Sequence, residues 1–268
     1  MYFDLDTVVL DAAQALCIAL PAAGVPALLL RLRGRGWALL APLSLVGTLL
    51  AIMLAPTSAD VLTWIAFVFV PPGCALALGW ATHGARPWLA LVAIPLLVAA
   101  LVAPEDALGR AARILLIVGS AATAGRLLAA AAPLPLLKAG VIVMATIDAV
   151  LVFGDQFDEQ FAGFDAASPG AGLPQLQLAR VGPVATDYGD FFVAGLVGAI
   201  LAAERGPQLA AAIAMLPVAE AFNQLFLVVD SLPNTTAPAL VLIGAEVWRR
   251  RARQRAGVAG GGQRAVSS

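Results

Sequence analysis

Histidine is almost absent from this chain. With His83 as the one imidazole, no metal centre built on histidines is expected, and no Ser-His or Cys-His catalytic pair. Cysteine is nearly as scarce. Cys17 and Cys74 both lie inside apolar runs and read as small buried hydrophobes, not as a disulfide or a metal pair. Charge is the third shortage. Only 12% of the 268 residues are Asp, Glu, Lys or Arg, and the net charge of -1 by itself says nothing of partners, among which no nucleic acid is expected. In their place stand 61% hydrophobic residues and a mean hydropathy of +0.91, outside the range of soluble domains. The expectation is an all-α, multi-pass protein of the cell membrane.

A bilayer crossing takes about 20 apolar residues. Nine such segments are predicted, near 8–30, 37–55, 61–81, 87–103, 114–132, 135–154, 182–203, 208–229 and 236–248. Trp37, Trp64, Trp80, Trp88 and Trp248 all fall near segment ends, where amphipathic rings favour the interface. The first segment has no basic residues before it, so a retained helix is expected instead of a cleaved signal. With the N-terminus outside, eleven of the 16 basic residues fall on the inner side, the bias that sets orientation. The chain then divides into helices one to five (1–132), helices six to nine with an acidic outer loop at 155–181 (133–248), and a basic, cytoplasmic tail (249–268) predicted to be disordered.

Two acids stand out. Asp148 in VIVMATIDAVLVFGD lies seven residues before Asp155, and Asp190 in ATDYGDFFVAGLVGAILA follows the start of the next segment by about eight. Consecutive spans run antiparallel, so both acids lie roughly 10–12 Å from the outer end at 1.5 Å per residue. A carboxylate at that depth costs several kcal/mol unless it has a partner or a wet cavity. Two carboxylates sharing a proton suit aspartic proteolysis, in which the protonated acid polarises a carbonyl and the ionised one activates water. Gly189, Ala194, Gly195 and Gly198 line one segment and Ala145 the other, small residues that allow close backbone approach. No metal or other cofactor is expected.

Ile147-Asp148, Gly189-Asp190 followed by Phe191-Phe192, and Pro238-Ala239-Leu240 at the opening of the last span resemble the presenilin and signal peptide peptidase family of intramembrane aspartyl proteases. The resemblance covers the second half of the chain. It implies a nine-helix fold, catalysis by Asp148 and Asp190, and substrate positioning by Gly189, Pro238, Ala239 and Leu240. The implied substrates are transmembrane helices of other membrane proteins. Such a helix must unwind to expose a scissile bond, and strand-like pairing near Pro238–Leu240 would supply partners for the freed backbone. The chain departs from the family at Ile147, where Tyr is usual, and at Asp187, where the first Gly of Gly-x-Gly-Asp is usual. Losing that Gly is expected to limit backbone freedom, and its carboxylate to perturb Asp190.

Other readings stay open. Asp187 and Asp190 suit a helix N-cap and first turn, and Asp148 suits an interfacial or helix-pairing acid. A proton- or ion-coupled carrier would also bury Asp148, Asp190 and Glu220, and a presenilin-like protein without activity would keep the same residues. A prepilin peptidase fits poorly, because Phe191 stands where its Lys belongs. Glu220, Asn223 and Gln224 share one face of the eighth segment, with Arg126 expected to pair with Glu220. Glu246 is expected to reach the inner interface beside Trp248.

Overall fold

The computed structural model describes residues 5–23, 33–55, 57–153, 167, 173–227 and 232–264, with side chains as far as 255. Most of the predicted outer loop, the end of the first segment and the last residues of the tail lie outside the described residues. The described chain is 80% helical. Its nine α-helices are α1 (Leu5–Ala19), α2 (Leu40–Leu54), α3 (Ser58–Leu76), α4 (Ala93–Val102), α5 (Ala107–Ala131), α6 (Leu134–Phe153), α7 (Tyr188–Ala203), α8 (Gln208–Asn223) and α9 (Thr236–Arg264). One helix falls in each predicted segment. By length and composition, four helical stretches among the described residues could cross a membrane: Arg35–Leu54, Ser58–Ala81, Ala107–Ala131 and Leu134–Phe153.

Burial divides the helices into a centre and a shell. In α5, 67% of the most apolar window is buried, against 17% in the stretch containing α2 and 22% in that containing α3. Accordingly α5 is the hub, packed on α7 along one face and on α3 and α4 along another. Leu43, Leu50, Val61, Ile65 and Phe69 of the shell stay exposed. Close approach at the hub depends on missing side chains. A Cβ at Gly195 would lie 2.5 Å from the Ala121 carbonyl oxygen, and one at Gly125 would run into the Gly195 carbonyl. This small-residue seam lets dispersion and packing hold α5 to α7. Across the other face, Thr123 Oγ1 donates to the Gly73 carbonyl at 2.8 Å, beside the Pro71–Pro72 pair inside α3.

Boundaries differ from the hydropathic reading at several places: α1 ends at Ala19, well short of residue 30, and three others stand out. First, α5 begins at Ala107, not at 114. Arg113 is buried there with its Nη2 donating to the Pro104 carbonyl at 2.8 Å, so a helical turn carrying arginine is held against the protein. Second, residues 182–187 do not begin α7. Antiparallel strands β1 (Leu178–Val181) and β2 (Val184–Asp187) pair with Val181 opposite Val184, and Gly182 takes φ +53° at the turn. A two-residue hairpin loop needs positive φ at its first central position, which Gly supplies. Among the described residues the fold is thus mostly helical, as expected, with one short hairpin added. Third, α9 continues to Arg264 through the region expected to be disordered. Arg, Ala and Gln after Trp248 are strong helix formers, and Arg249 bonds Glu246 one turn earlier at 3.0 Å.

Polar ties close the helix ends. Gln208 Nε2 donates to the carbonyls of Ile18, Ala19 and Pro21 at 2.8, 3.2 and 2.8 Å. It thereby joins the start of α8 to the end of α1. His83 Nε2 reaches Gln208 Oε1 at 3.2 Å. At the end of α6 away from the hairpin, Lys138 bonds Glu204 at 2.7 Å and Glu246 at 2.6 Å, while Arg249 bonds both acids as well. Two cations and two anions from α6, the end of α7 and α9 make a neutral quartet. Glu246 thus sits in an ion network instead of reaching out alone. The expected Arg126–Glu220 pair is not formed: Arg126 Nη1 donates to the Trp80 carbonyl, and Glu220 accepts from Gln224 at 2.9 Å. They lie on different sides of the bundle, because α8 packs on α1 while Arg126 faces the end of α3. Asn223 turns to α1, donating to Asp11 at 2.8 Å. Cys17 and Cys74 are buried free thiols.

Candidate functional site

Asp148 and Asp190 line one cavity of about 390 Å³. Asp148 comes from the last turns of α6 and Asp190 from the first turn of α7. Each is only 8% exposed, so each needs partners. Those of Asp148 come from the residue preceding α9. Thr235 Oγ1 donates to its Oδ2 at 2.5 Å, and the Thr235 backbone N–H donates to the same oxygen at 3.3 Å. The Asn234 side chain lies close enough to Asp190 to act on its charge. Adjacent residues of one short segment therefore reach the two acids.

Asp187 has both roles that its position suggests. It is the N-cap of α7, and its Oδ1 accepts the Asp190 N–H at 3.0 Å. It also lines the cavity, and its charge acts on both Asp148 and Asp190, which act on each other. Its backbone, at φ -81° and ψ 167°, is ordinary extended chain, a conformation that does not require Gly. Gly189 is different. A Cβ there would lie 2.9 Å from Asp187 Oδ1, crowding the carboxylate as it folds back to cap the helix.

The rest of the cavity is mostly apolar. Leu45, Leu49 and Ile52 of α2 and Leu62, Phe69 and Val70 of α3 form the wall facing the acids, with Met144 of α6 beside Asp148. Its volume is within the usual range for ligand pockets, about 300–1,000 Å³.

Of the six residues singled out in the sequence, Asp148, Gly189 and Asp190 meet at this cavity. Pro238, Ala239 and Leu240 do not line it. They lie in the first turns of α9, where Pro238 and Ala239 are buried and Leu240 is exposed. Pro238 is accommodated there because the first turn of a helix leaves its N–H groups unpaired. The segment is helical, so strand-like pairing at Pro238–Leu240 finds no extended backbone. What reaches the acids is the preceding Asn234-Thr235, which sequence reasoning passed over. The available signal was Pro-Asn-Thr-Thr ahead of an apolar run, a helix N-cap pattern. Gln177 and the α2/α3 wall were also missed, and nothing in their local sequence marks them. Compared with protein-family models, with curated proteins and with solved structures, the chain matches none.

Proposed function

We propose that the protein is an intramembrane aspartyl protease in which Asp148 and Asp190 share a proton and activate water against a peptide bond. The observation that carries the reading is the meeting of these two buried carboxylates, from different helices, at one mostly apolar cavity. Like charges at close range cannot both ionise readily, so the pair suits one acid and one base in the same step. The acid polarises the scissile carbonyl; the base takes a proton from water, and the tetrahedral intermediate collapses with that proton delivered to the leaving amine. Thr235 donates to Asp148, a preset hydrogen bond that orients this carboxylate before reaction. In this reading all nine helices are membrane-embedded, the N-terminus faces outside, and the ion quartet and α9 tail face the cytoplasm. Exposed leucines of α2 and α3 meet lipid, and the substrate is another protein's transmembrane helix.

The test is cleavage of a single-span reporter in liposomes by wild type, Asp148→Ala and Asp190→Ala. Cutting by wild type alone, with all three proteins folded, supports the dyad. Equal cutting by the variants overturns it. If no protein cuts, proton-dependent flux in the same liposomes tests the carrier that the acids would also serve.

A further inference from the structure

After Glu246 the chain carries arginine and no acid: residues 247–268 hold six Arg and neither Asp nor Glu. Arg249 belongs to the ion quartet. Arg250, Arg251, Arg253 and Arg255 are exposed on the same continuous helix. Four cations in six residues, two of them spaced i, i+4, repel one another, so this part of α9 gains from an anionic surface beside it.

The level of these arginines along the bundle follows from α6. Its 20 residues make about 30 Å at 1.5 Å each, the thickness of a hydrocarbon core. Lys138 lies about 6 Å in from the Leu134 end, and Glu246 accepts its hydrogen bond at 2.6 Å, which brings Arg250, one turn on, level with that end. The contact at the other end agrees. Thr235 meets Asp148 about 21 Å from Leu134 along α6 and about 22 Å from Arg250 along α9. Arg251, Arg253 and Arg255 then lie within about 8 Å beyond the hydrocarbon edge, the depth of the headgroup layer. Arg35 and Arg205 are exposed at the same end of the bundle. Gly34 N–H donates to the Ala131 carbonyl at 2.9 Å, just ahead of Leu134, and Arg205 follows Glu204 of the quartet. Trp37 and Trp248 are exposed at this end too, rings that favour the interface. Glu204 and Glu246 are already paired with Lys138 and Arg249.

We propose that the arginine stretch of α9 binds the headgroups of anionic phospholipids in the leaflet beside the ion quartet, with Arg35 and Arg205 extending the surface. Guanidinium forks match phosphate oxygens in pairs, and the stretch lies at the depth where lipid phosphates are. Lipid held there fixes the depth of the helix whose other end adjoins Asp148. The inference rests on α6 crossing the bilayer and not on the dyad.

The test places full-length protein in phosphatidylcholine nanodiscs that carry a minor share of brominated phosphatidylglycerol or of brominated phosphatidylcholine, and reads tryptophan quenching. The part of the quenching lost with Trp248→Phe reports lipid beside α9. Phosphatidylglycerol is expected there at least about fivefold above its bulk share, the worth of one arginine near an anionic surface, and the excess should shrink in about 1 M salt. Arg250→Gln, Arg251→Gln, Arg253→Gln and Arg255→Gln together should bring it to about one, whereas lysine at all four positions should keep most of it. Equal quenching by the two lipids in wild type overturns the inference, even if the Gln variant fails to fold, and so does a preference that the Gln variant leaves unchanged. Displacement by soluble glycerol phosphate at constant ionic strength would assign the stretch to a free anion and overturns it as well. Quenching by neither lipid removes the membrane reading together with this inference. A preserved preference without reporter cleavage removes the protease reading alone.

Discussion

Replacing Gly195 with alanine adds one carbon at the tight seam between α5 and α7. The new Cβ would lie 2.5 Å from the Ala121 carbonyl oxygen, where ordinary contact begins at 3.4 Å. Backbone lies on both sides, so neither partner can rotate away, and α5 and α7 must part by about 0.9 Å in an interior that has little slack. Overpacking of this kind costs about 1–3 kcal/mol, offset by about 0.5–1 kcal/mol from alanine's better helix propensity. A net loss of about 1–2 kcal/mol lowers the melting temperature by about 2–8 °C in a chain near this size. Asp190 stands little more than one turn away, so reporter cleavage should fall with it. Gly47→Ala and Gly244→Ala are the controls, because a Cβ at either meets nothing within 4 Å; these should melt at or slightly above wild type. The assay is intrinsic-fluorescence melting in one detergent for all four proteins. Should Gly195→Ala melt no lower than the two controls, α5 and α7 do not pack backbone to backbone and the positioning of Asp190 argued above fails with them.

Lys138→Ala leaves Glu204 and Glu246 sharing Arg249 alone, with side chains 16–25% exposed; a loss of about 1–3 kcal/mol is expected, smaller at high salt and partly restored by adding Glu204→Gln. An unchanged melting temperature would show the quartet to be idle. Thr235→Val removes the hydroxyl donor to Asp148 and should cut kcat about tenfold, whereas Thr235→Ser should keep most of it; equal rates for both would exclude the hydroxyl from the reaction. Gln208→Ala frees three carbonyls at the end of α1 and should cost about 1–3 kcal/mol, read by faster amide exchange in Ile18–Ala22. Cleavage against pH should be bell-shaped with limbs belonging to the pair, and a single monotonic limb would contradict proton sharing.

Hydropathy located a helix in each of nine places because burial in any apolar surroundings, protein or lipid, selects the same residues. It misplaced the start of α5 because Arg113 lies against the protein with its charge bonded to a carbonyl, a tertiary fact that a running average cannot hold. The hairpin was legible in principle, since Gly182-Pro183 between two valines is a turn signal, but a membrane-span reading absorbed it. At the site, the acids were legible because carboxylates are rare in apolar runs. Asn234 and Thr235 look like ordinary caps, and only the fold turns their side chains from the backbone to the acids. Arg126 and Glu220 failed as a pair for the converse reason: opposite charges in two spans say nothing about which helices are neighbours.

The helix α9 carries neither acid of the dyad, yet it touches both ends of the helices that do. Just before its start Thr235 bonds Asp148 and Asn234 lies beside Asp190, and Glu246 and Arg249 further along it grip Lys138 and Glu204. It is the third side of a triangle whose other sides are α6 and α7. A triangle, unlike a pair, cannot change one corner without changing a length. The spacing of the two carboxylates is therefore a property of a helix that contains neither, and a cut or insertion within α9 would silence the site while leaving every residue of the dyad in place.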